Sequence, residues 1–582
     1  MGSKKKRSFV PPKEGKAPAG SSSSSSKTGS RPTASSSDSF SLWSLVGAIL
    51  GAILGFILKV GIWTLLASPF LFLTPSLSLV YGRPPQLVYA SQTLRYLALV
   101  WGFGGFGGKN DGAQSESRVS HLQPLSLATR ISLSTIILVH SIKSPLYAFG
   151  WILDEILYGR RLSNLTQEEK VALDHPVFVV SAFRSASTQL GRSLLANVRY
   201  QDQSGPTSTP TTTNNTTPCF VAPNSMMCAY PYLWLWKLMR SIVGDIPEES
   251  NNNTTPGSSD TITRDDIREK FNQNFTPDSL SRHPNDPFGL DTFDGSFLNY
   301  HLNGLVWQLC RYFPKELIIQ EFNYAHQGND TLNRTIWKTN MVHHIDRLAR
   351  KTLVFDSDFY REDETSTTKN TTPTQRRFLL KGHFLSVCPE LKERYQQQED
   401  DGGAKGAKFV TILRDPCDRL RSGINYMAVN PTLYSRNPQQ TIPWRALAVA
   451  LEETEAQYSE RERQWFGTEN ETENENDRLA VAFDSFVADK DKTIETIVEW
   501  LGLPSSAKDQ GTTAVVMKST TGAKGALQKM SKKNTAAGVT SKSYRINKKL
   551  AEVGVDETAY RERLRDYMMW MTKVAIAKPA TR

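Results

Sequence analysis

Two segments of the chain have the pattern of a buried strand that leads through a short turn into a helix. In HPVFVVSAFRSASTQLGRSLL, the β-branched run Val177–Val180 precedes small residues and then helical spacing over Thr188–Leu195. In KFVTILRDPCDRLRSGINY, a β-rich run at Phe409–Leu413 is followed by a turn through Asp415-Pro416. A continuously apolar strand that feeds a helix is typical of a parallel sheet covered on both faces.

The same order of strand, turn and helix occurs four times. The strands are predicted at 177–181, 377–381, 409–413 and 479–483. This alternation predicts the α/β fold class, as a three-layer domain with a central parallel sheet and helices on both faces. Ligands bind such sheets at the carboxyl ends of the strands. We therefore expect a site formed by Arg184, His383 and Arg414.

The turn after the first strand carries one fixed positive charge and three hydroxyl groups, on Arg184, Ser185, Ser187 and Thr188. A junction of this kind aims a helix N-terminus and several backbone N–H groups at an anion. Taken alone, the turn is equally consistent with an ordinary tight junction. The chain lacks GxxxxGK[ST], the P-loop that binds nucleoside triphosphates, which argues against an ATPase or a kinase.

A second candidate anion site follows the third strand. Arg414 and Ser422 stand eight residues apart across a strand-to-helix junction, so both side chains can close on one phosphate. Arginine is well suited to this role because its guanidinium grips phosphate through a bidentate fork.

Together the two units resemble the nucleotide motifs of the sulfotransferase superfamily that uses 3′-phosphoadenosine-5′-phosphosulfate (PAPS). Phe183-Arg184-Ser185-Ala186-Ser187-Thr188 is similar to the 5′-phosphosulfate motif, roughly PRSGTT or PKSGTT after a strand. Arg414-Asp415-Pro416 with Ser422 matches the 3′-phosphate motif in residue type and spacing. The resemblance implies a P-loop-like fold, PAPS as co-substrate, PAP as product and no metal.

A third segment, RRFLLKGHFLSVCPEL, contains Lys381-Gly382-His383, which resembles the Lys-Thr-His of many family members. The resemblance implies that His383 is the general base and that Lys381 lies near the transferring group. A histidine suits proton transfer because its ordinary pKa lies near working pH. Lys381 would neutralise charge on the bridging oxygen as the S–O bond breaks. An isolated Lys-x-His is usually a surface turn, but its place upstream of the 3′-phosphate motif favours catalysis.

The fourth segment, LAVAFDSFVADKDKTIETIVEWLGLP, is similar to the family's YEDL…FLGLP stretch, with Phe483 where many members place a tyrosine near the adenine. Ala186 replaces the usual glycine of the first loop, and Gln189 stands where cytosolic members carry a tryptophan. These departures point to a membrane-anchored, Golgi-type member. The implied co-substrate contacts are Arg184, Ser185, Ala186, Ser187, Thr188, Arg414, Ser422 and Phe483.

A long apolar stretch at 42–80 predicts a transmembrane segment, with one span at about 42–66. Roughly twenty apolar residues cross the hydrocarbon core as a helix, and Pro69 and Pro75 are expected to end or kink it. Basic residues before the stretch favour a cytosolic N-terminus. A single span then gives a type II Golgi protein with a lumenal catalytic domain, whereas a hairpin returns that domain to the cytosol. The apolar stretch 131–158 is expected either at the membrane interface or packed under the domain.

The remaining sequence is divided around these segments. Residues 1–41 are predicted to be a basic, Ser-rich, disordered cytosolic tail, and 81–170 a membrane-proximal region with interfacial or packing helices. The sulfotransferase domain is expected over 171–582. It is interrupted by low-complexity insertions at about 201–218 and 246–263, which bury too little apolar surface to order.

Composition adds few constraints. The formal net charge of +11 fits a phosphate-rich ligand, an acidic glycan or a membrane surface, and is equally explained by ordinary surface solvation. No nucleic-acid motif occurs. The cysteines match no zinc spacing, and Cys219 and Cys228 could be bridged or free. Sequons that favour a lumenal glycoprotein begin at Asn164, Asn274, Asn333, Asn370 and Asn470.

The sequence therefore predicts transfer of a sulfuryl group from PAPS to a hydroxyl or amine of a glycan, lipid or protein acceptor. Two other functions remain open. One is a non-catalytic membrane protein with a sulfotransferase-like nucleotide-binding fold. The other is a different P-loop-type nucleotide enzyme.

Overall fold

The computed structural model describes the chain in ranges separated by gaps. They are residues 42–81, 84, 90–102, 125–202, 216–243, 264–273, 286–290, 309, 312–313, 331–363, 376–383, 389–396, 406–429, 442–466, 477–503, 512–516 and 547–576. The predicted tail at 1–41 and the predicted insertion at 246–263 lie outside these ranges, as do residues 203–215 of the other insertion.

Eight strands lie in the described part of the chain: β1 (Val177–Val180), β2 (Val198–Asp202), β3 (Thr216–Pro218), β4 (Phe220–Val221), β5 (Arg377–Gly382), β6 (Lys408–Leu413), β7 (Arg478–Ala482) and β8 (Thr512–Val516). The helices in the same ranges are α1 (Leu42–Tyr81), α2 (Ala90–Trp101), α3 (Leu127–Ser163), α4 (Gln167–Asp174), α5 (Ser187–Asn197), α6 (Ser225–Ala229), α7 (Leu233–Val243), α8 (Arg264–Asn272), α9 (Thr331–Asp363), α10 (Pro389–Gln396), α11 (Pro416–Val429), α12 (Trp444–Phe466), α13 (Phe483–Ala488), α14 (Lys490–Trp500), α15 (Glu557–Arg563) and α16 (Arg565–Ile576). A 3₁₀ turn covers Ala551–Val553.

The central sheet has the strand order β4-β5-β1-β6-β7, and all its neighbours are parallel. Its four longer strands are those predicted from the sequence, to within a residue or two. Phe483 was predicted as the last residue of the fourth strand, but β7 ends at Ala482 and Phe483 is the first residue of α13. The short edge strand β4 was not predicted, because two residues carry no periodicity.

The side chains of β1 alternate between two apolar cores. Phe178 and Val180 face a core completed by α4, α9, α10 and α12. Val177 and Val179 face the opposite core, completed by α5 and α14. All four side chains are fully buried, and each such burial stabilises the fold by about 1.5–3 kcal/mol. The predicted three-layer arrangement, with helices on both faces of a parallel sheet, is confirmed.

A second, antiparallel sheet has the order β3-β2-β8. The strand β2 follows directly from α5 and pairs with β8, so that Val198 lies opposite Val516. Both ends of the insertion predicted at about 201–218, namely residues 201–202 and 216–218, are strand residues. Backbone pairing between β2 and β3 orders these polar flanks, although few of their side chains are apolar.

Helix α1 runs without a break through Pro69 and Pro75. Of the two outcomes expected at these prolines, an end or a kink of the helix, the end does not occur. Pro69 has no N–H for the Leu65 carbonyl, but the Ser68 hydroxyl donates to that carbonyl at 2.9 Å instead. The 40 residues of α1 extend about 60 Å, twice the thickness of a hydrocarbon core of about 30 Å. By length and composition the stretch Ile53–Tyr81 can cross a membrane, and only 6% of its most apolar window is buried in the protein.

Helix α3 is also continuous, and its second half packs against α7 and α9. The Asp154 carboxylate accepts from the backbone N–H groups of Leu233 and Trp234 at 2.8 and 2.9 Å, which caps α7. The same carboxylate pairs with Lys351 of α9 at 2.8 Å, and both side chains are fully buried. Of the two roles expected for 131–158, packing under the domain is the one seen for this half. By length and composition α3 also qualifies as a membrane span, with 44% of its apolar window buried.

The cysteines in the described ranges do not bridge. Cys219, Cys228 and Cys417 are buried and form no disulfide. Burial raises the pKa of the Cys219 and Cys417 thiols to about 12, so both remain protonated at neutral pH. Of the two arrangements left open for Cys219 and Cys228, the structure has the unbridged one.

Removal of the Asp154 carboxylate should be strongly destabilising. Asp154→Ala leaves the buried Lys351 ammonium without its partner and α7 without its cap, which costs about 3–5 kcal/mol of unfolding free energy. The matched control is Asp358→Ala. Asp358 pairs with Lys237 at 2.6 Å but is one-third exposed, so its loss should cost about 0–1 kcal/mol. Denaturant unfolding compares the two, and equal losses would contradict a special role for Asp154.

Candidate functional site

Three neighbouring strands bring the predicted site residues to one edge of the sheet. The end of β1 lies beside the end of β5, with Val180 opposite Gly382, and β6 is the other neighbour of β1. Because the strands are parallel, their carboxyl ends meet. Arg184, His383 and Arg414 therefore lie together at the expected edge.

The loop after β1 has an unusual backbone. Arg184 and Ala186 have φ angles of 68° and 70°, in the left-handed region that non-glycine residues rarely adopt. The Ser185 hydroxyl donates to the Ala182 carbonyl at 2.7 Å and so holds the turn. Ala186 then occupies the N-cap position of α5 and makes no side-chain hydrogen bond to the helix. The first-turn N–H groups at Ser187 and Thr188 consequently receive no cap from this residue and can serve an anion.

The two candidate anion-binding sites are in direct contact. We call them cradles: one is the loop from Arg184 to Thr188, and the other is formed by Arg414 and Ser422. The Arg184 Nε donates to the Ser422 hydroxyl at 3.1 Å, and the Arg414 Nη1 donates to the Arg184 carbonyl at 2.8 Å. Thus Arg184, predicted to bind the 5′-phosphosulfate, contacts both Arg414 and Ser422, which are predicted to bind the 3′-phosphate. One ligand with two phosphate groups can bridge these cradles.

The Arg414 guanidinium is held in place and only partly satisfied. Its carbon lies 4.4 Å from the centre of the Phe483 ring, so Phe483 packs against this cation. Its buried Nε has no hydrogen-bond partner among the described residues. Burial lowers the pKa of Arg414, an effect that nearby Asp418 opposes. Burial has removed water from the Arg414 guanidinium, and no carboxylate hydrogen bond replaces that water among the described residues. Such a cation favours binding of an anionic ligand.

The adjacent carboxylate does not neutralise Arg414, because it is engaged elsewhere. Asp415 accepts from Arg561 of α15 at 2.8 Å and from the backbone N–H groups of Cys417 and Asp418 at the start of α11. Burial is opposed by these hydrogen bonds, chiefly that from Arg561, and the net effect lowers the pKa of Asp415. Asp415 therefore caps a helix, and Arg414 faces the site.

His383 and Lys381 form a hydrogen-bonded pair beside the first loop. The His383 Nδ1 lies 2.8 Å from the Ser181 carbonyl, which can only accept, so this nitrogen carries a proton. The Lys381 Nζ lies 3.3 Å from the His383 Nε2, and the lysine is fully buried. The Phe183 ring meets the imidazole edge-on, with 5.6 Å between ring centres. In neutral His383, Nε2 is thus the basic nitrogen.

A buried polar cluster under these loops was not predicted from the sequence. The Glu462 carboxylate of α12 accepts from the Ala182 N–H, the Thr411 hydroxyl, the Arg419 Nη1 and the Tyr567 hydroxyl. Arg419 also bonds Ser459 at 2.7 Å and pairs with Glu455 at 3.1 Å. Such residues on a polar helix have the pattern of a solvated face, and no local signal distinguishes them.

The described residues contain no group of three or more His, Cys, Asp or Glu side chains placed to hold a metal ion. The cationic and hydroxyl groups at the sheet edge are suited to a phosphate-bearing ligand, since arginine, lysine and a helix N-terminus all favour anions.

No family model and no curated protein matches the sequence. Two solved structures to which the chain is similar are mycobacterial sulfotransferases. Sulfotransferase STF1 from Mycobacterium tuberculosis H37Rv matches with a TM-score of 0.38 and 13% identity, over 85% of this chain and 97% of that one. Sulfotransferase STF9 from Mycobacterium avium matches with a TM-score of 0.37 and 13% identity, over 76% and 85%. The residues of the site, not these similarities, support the function proposed below.

Proposed function

We propose that this chain is a sulfotransferase that moves a sulfuryl group from PAPS to a hydroxyl or amine of an acceptor. The observation that carries the proposal is the direct contact between the two cradles. Arg184 bonds Ser422, and Arg414 bonds the Arg184 carbonyl. PAPS and PAP carry phosphate at both the 5′ and 3′ positions, which suits two adjoining cationic sites.

The residues at the sheet edge fit this co-substrate. The loop from Arg184 to Thr188 and the N-terminus of α5 would hold the 5′-phosphosulfate. Arg414 and Ser422 would hold the 3′-phosphate, and the unsatisfied Nε of Arg414 is suited to that bond. Phe483, stacked on Arg414, would lie next to the bound nucleoside. When bound, PAPS supplies the activated sulfuryl group.

His383 and Lys381 would supply the proton transfer and the charge stabilisation. The acceptor oxygen forms its new bond to sulfur as the bond between sulfur and the 5′-phosphate oxygen breaks, and PAP departs. His383 takes the acceptor proton at Nε2, because Nδ1 is occupied at the Ser181 carbonyl. The buried Lys381 ammonium, within reach of the same nitrogen, stabilises negative charge on the bridging oxygen. Fixed cations thus perform the role without a metal.

Substitution of the base should separate binding from chemistry. In His383→Ala we expect sulfuryl transfer to fall by about 10²–10⁴-fold, because general-base catalysis is lost, while PAP affinity is nearly unchanged. Turnover of radiolabelled PAPS with a mixed acceptor pool measures the first, and calorimetry the second. Unchanged turnover would remove His383 from the mechanism. PAP binding without turnover by the unaltered chain would instead identify a non-catalytic binding protein.

Substitution of Arg414 should discriminate between nucleotides. A hydrogen bond to a charged group contributes about 1.5–3 kcal/mol, so Arg414→Ala should weaken PAP binding roughly 10- to 150-fold and weaken binding of AMP, which lacks the 3′-phosphate, much less. The matched control is Arg421→Ala on α11, next to Ser422, where the Arg421 side chain is half exposed. Equal loss of PAP and AMP affinity would refute the 3′-phosphate assignment. Tighter binding of ATP than of PAP would identify a different nucleotide enzyme.

We further propose a single-pass, type II membrane protein of the Golgi-type branch, with a lumenal domain that begins near residue 171. The continuous apolar helix α1 supports one span, and the packing of α3 on α7 and α9 supports a place for that helix beside the domain. A glycan, glycolipid or protein acceptor suits a lumenal site. If α3 also spans, the domain faces the cytosol on a hairpin, and a lipid alcohol is the better candidate.

Glycosylation tests this topology. Asn164 is exposed at the end of α3 and begins a sequon. In cells that glycosylate secreted proteins, a glycosidase should increase the gel mobility of the full chain. In Asn164→Gln this mobility increase should be smaller by the amount that one glycan contributes. A chain without glycan, whose domain is digested by protease added outside intact microsomes, would establish the cytosolic alternative.

A further inference from the structure

One peptide group connects the candidate base to a buried carboxylate. The carbonyl of Ser181 accepts from the His383 Nδ1 at 2.8 Å. The N–H of Ala182, in the same planar peptide unit, donates to the Glu462 Oε1 at 3.3 Å. The imidazole and the carboxylate therefore sit on opposite sides of a single amide, each bonded to one of its ends.

The Glu462 carboxylate is held by four partners. It is fully buried, and its strongest partner is the equally buried guanidinium of Arg419, at 2.7 Å. Thr411 of β6 donates to Oε1 at 3.0 Å, and Tyr567 of α16 donates to Oε2 at 2.8 Å. The second carboxylate near Arg419 is Glu455, whose pKa burial raises to about 7, an effect that Arg419 opposes. Of the two carboxylates, Glu462 is the one that accepts from the Ala182 N–H.

This arrangement has a chemical consequence for His383. An amide whose N–H bonds a carboxylate is polarised, so its carbonyl oxygen becomes a stronger acceptor. A stronger bond at Nδ1 fixes the tautomer with Nε2 as base, and it stabilises the imidazolium that forms when Nε2 takes a proton. A carboxylate bonded directly to a catalytic histidine does the same work. The charged group that faces Nε2 is Lys381, at 3.3 Å, and its ammonium acts in the opposite sense, since it disfavours imidazolium.

We propose that Glu462 is a positioning residue for His383 and acts through the peptide unit between Ser181 and Ala182. The proposal rests on the proposed function only in taking His383 as the base. It assigns a role in catalysis to a carboxylate that touches neither co-substrate nor acceptor.

The test compares Glu462→Gln with Glu455→Gln in the full chain, in detergent. Both variants remove a buried carboxylate that pairs with Arg419, but only the first removes the negative charge from the side chain that accepts from the Ala182 N–H. Histidine labelled with ¹³C and ¹⁵N reports titration and tautomer by NMR. His383→Gln assigns the signal among the nine histidines. The midpoint of the His383 titration should fall in Glu462→Gln, because the imidazolium loses its support, and should stay in place in Glu455→Gln.

Catalytic activity should differ between Glu462→Gln and Glu455→Gln in the same way as the His383 titration. In Glu462→Gln we expect kcat to fall roughly tenfold, the size typical for a group that orients a functional histidine, and the acid limb of the pH–rate profile to move to lower pH. A purely structural role would leave the titration and tautomer of His383 as they are in the parent chain.

The same His383 midpoint in both variants and in the parent chain would overturn the proposal. Where Glu462→Gln does not fold, because Arg419 is left partly uncompensated, the comparison is made between Arg419→Met/Glu462→Gln and Arg419→Met/Glu455→Gln, in which the buried cation is absent. The NMR titration needs no substrate. A shifted midpoint in a chain that neither binds PAP nor turns over PAPS would therefore support the coupling and refute the proposed function alone.

Discussion

The ion pair between Glu462 and Arg419 is the constraint on which the candidate site depends. The two oxygens of this carboxylate bond the loop after β1, the middle of β6, the helix α11 and the C-terminal helix α16. A buried charge is tolerated only while its partners are in place. These four elements therefore cannot move independently, and the loop that carries Arg184 is fixed relative to the helix that carries Ser422.

The strained loop after β1 depends on this support. Left-handed backbone costs a non-glycine residue about 1–2 kcal/mol, and both Arg184 and Ala186 adopt it. Such a conformation persists when neighbours over-determine it. Here the Ser185 hydroxyl closes the turn from within, and Arg414 holds the Arg184 carbonyl from outside. The strain turns the arginine side chain and the first turn of α5 towards the same space.

The sequence predicted the parts of the site that local patterns encode. Apolar strands, each followed by a turn with an arginine or a histidine, were enough to place His383, Arg184 and Arg414 at one sheet edge. The pairing of β2 with β8 was not predictable, because it joins residues about 310 positions apart. Glu462 was also missed, since ALEETEAQYSERERQW has the charge pattern of an exposed helix. Only the fold shows that Arg419 faces it.

Helix α3 shows why hydropathy gave an ambiguous answer for residues 131–158. A carboxylate and a lysine within an apolar stretch are costly in lipid, and both Asp154 and Lys143 interrupt this one. In the fold, the cost of Asp154 is offset by Lys351 and by two backbone N–H groups of α7. The apolar residues next to Asp154 in α3, such as Trp151 and Ile152, are buried in the protein. An apolar stretch interrupted by charges is therefore compatible with a helix whose second half is packed in the protein core, independently of the surroundings of its first half.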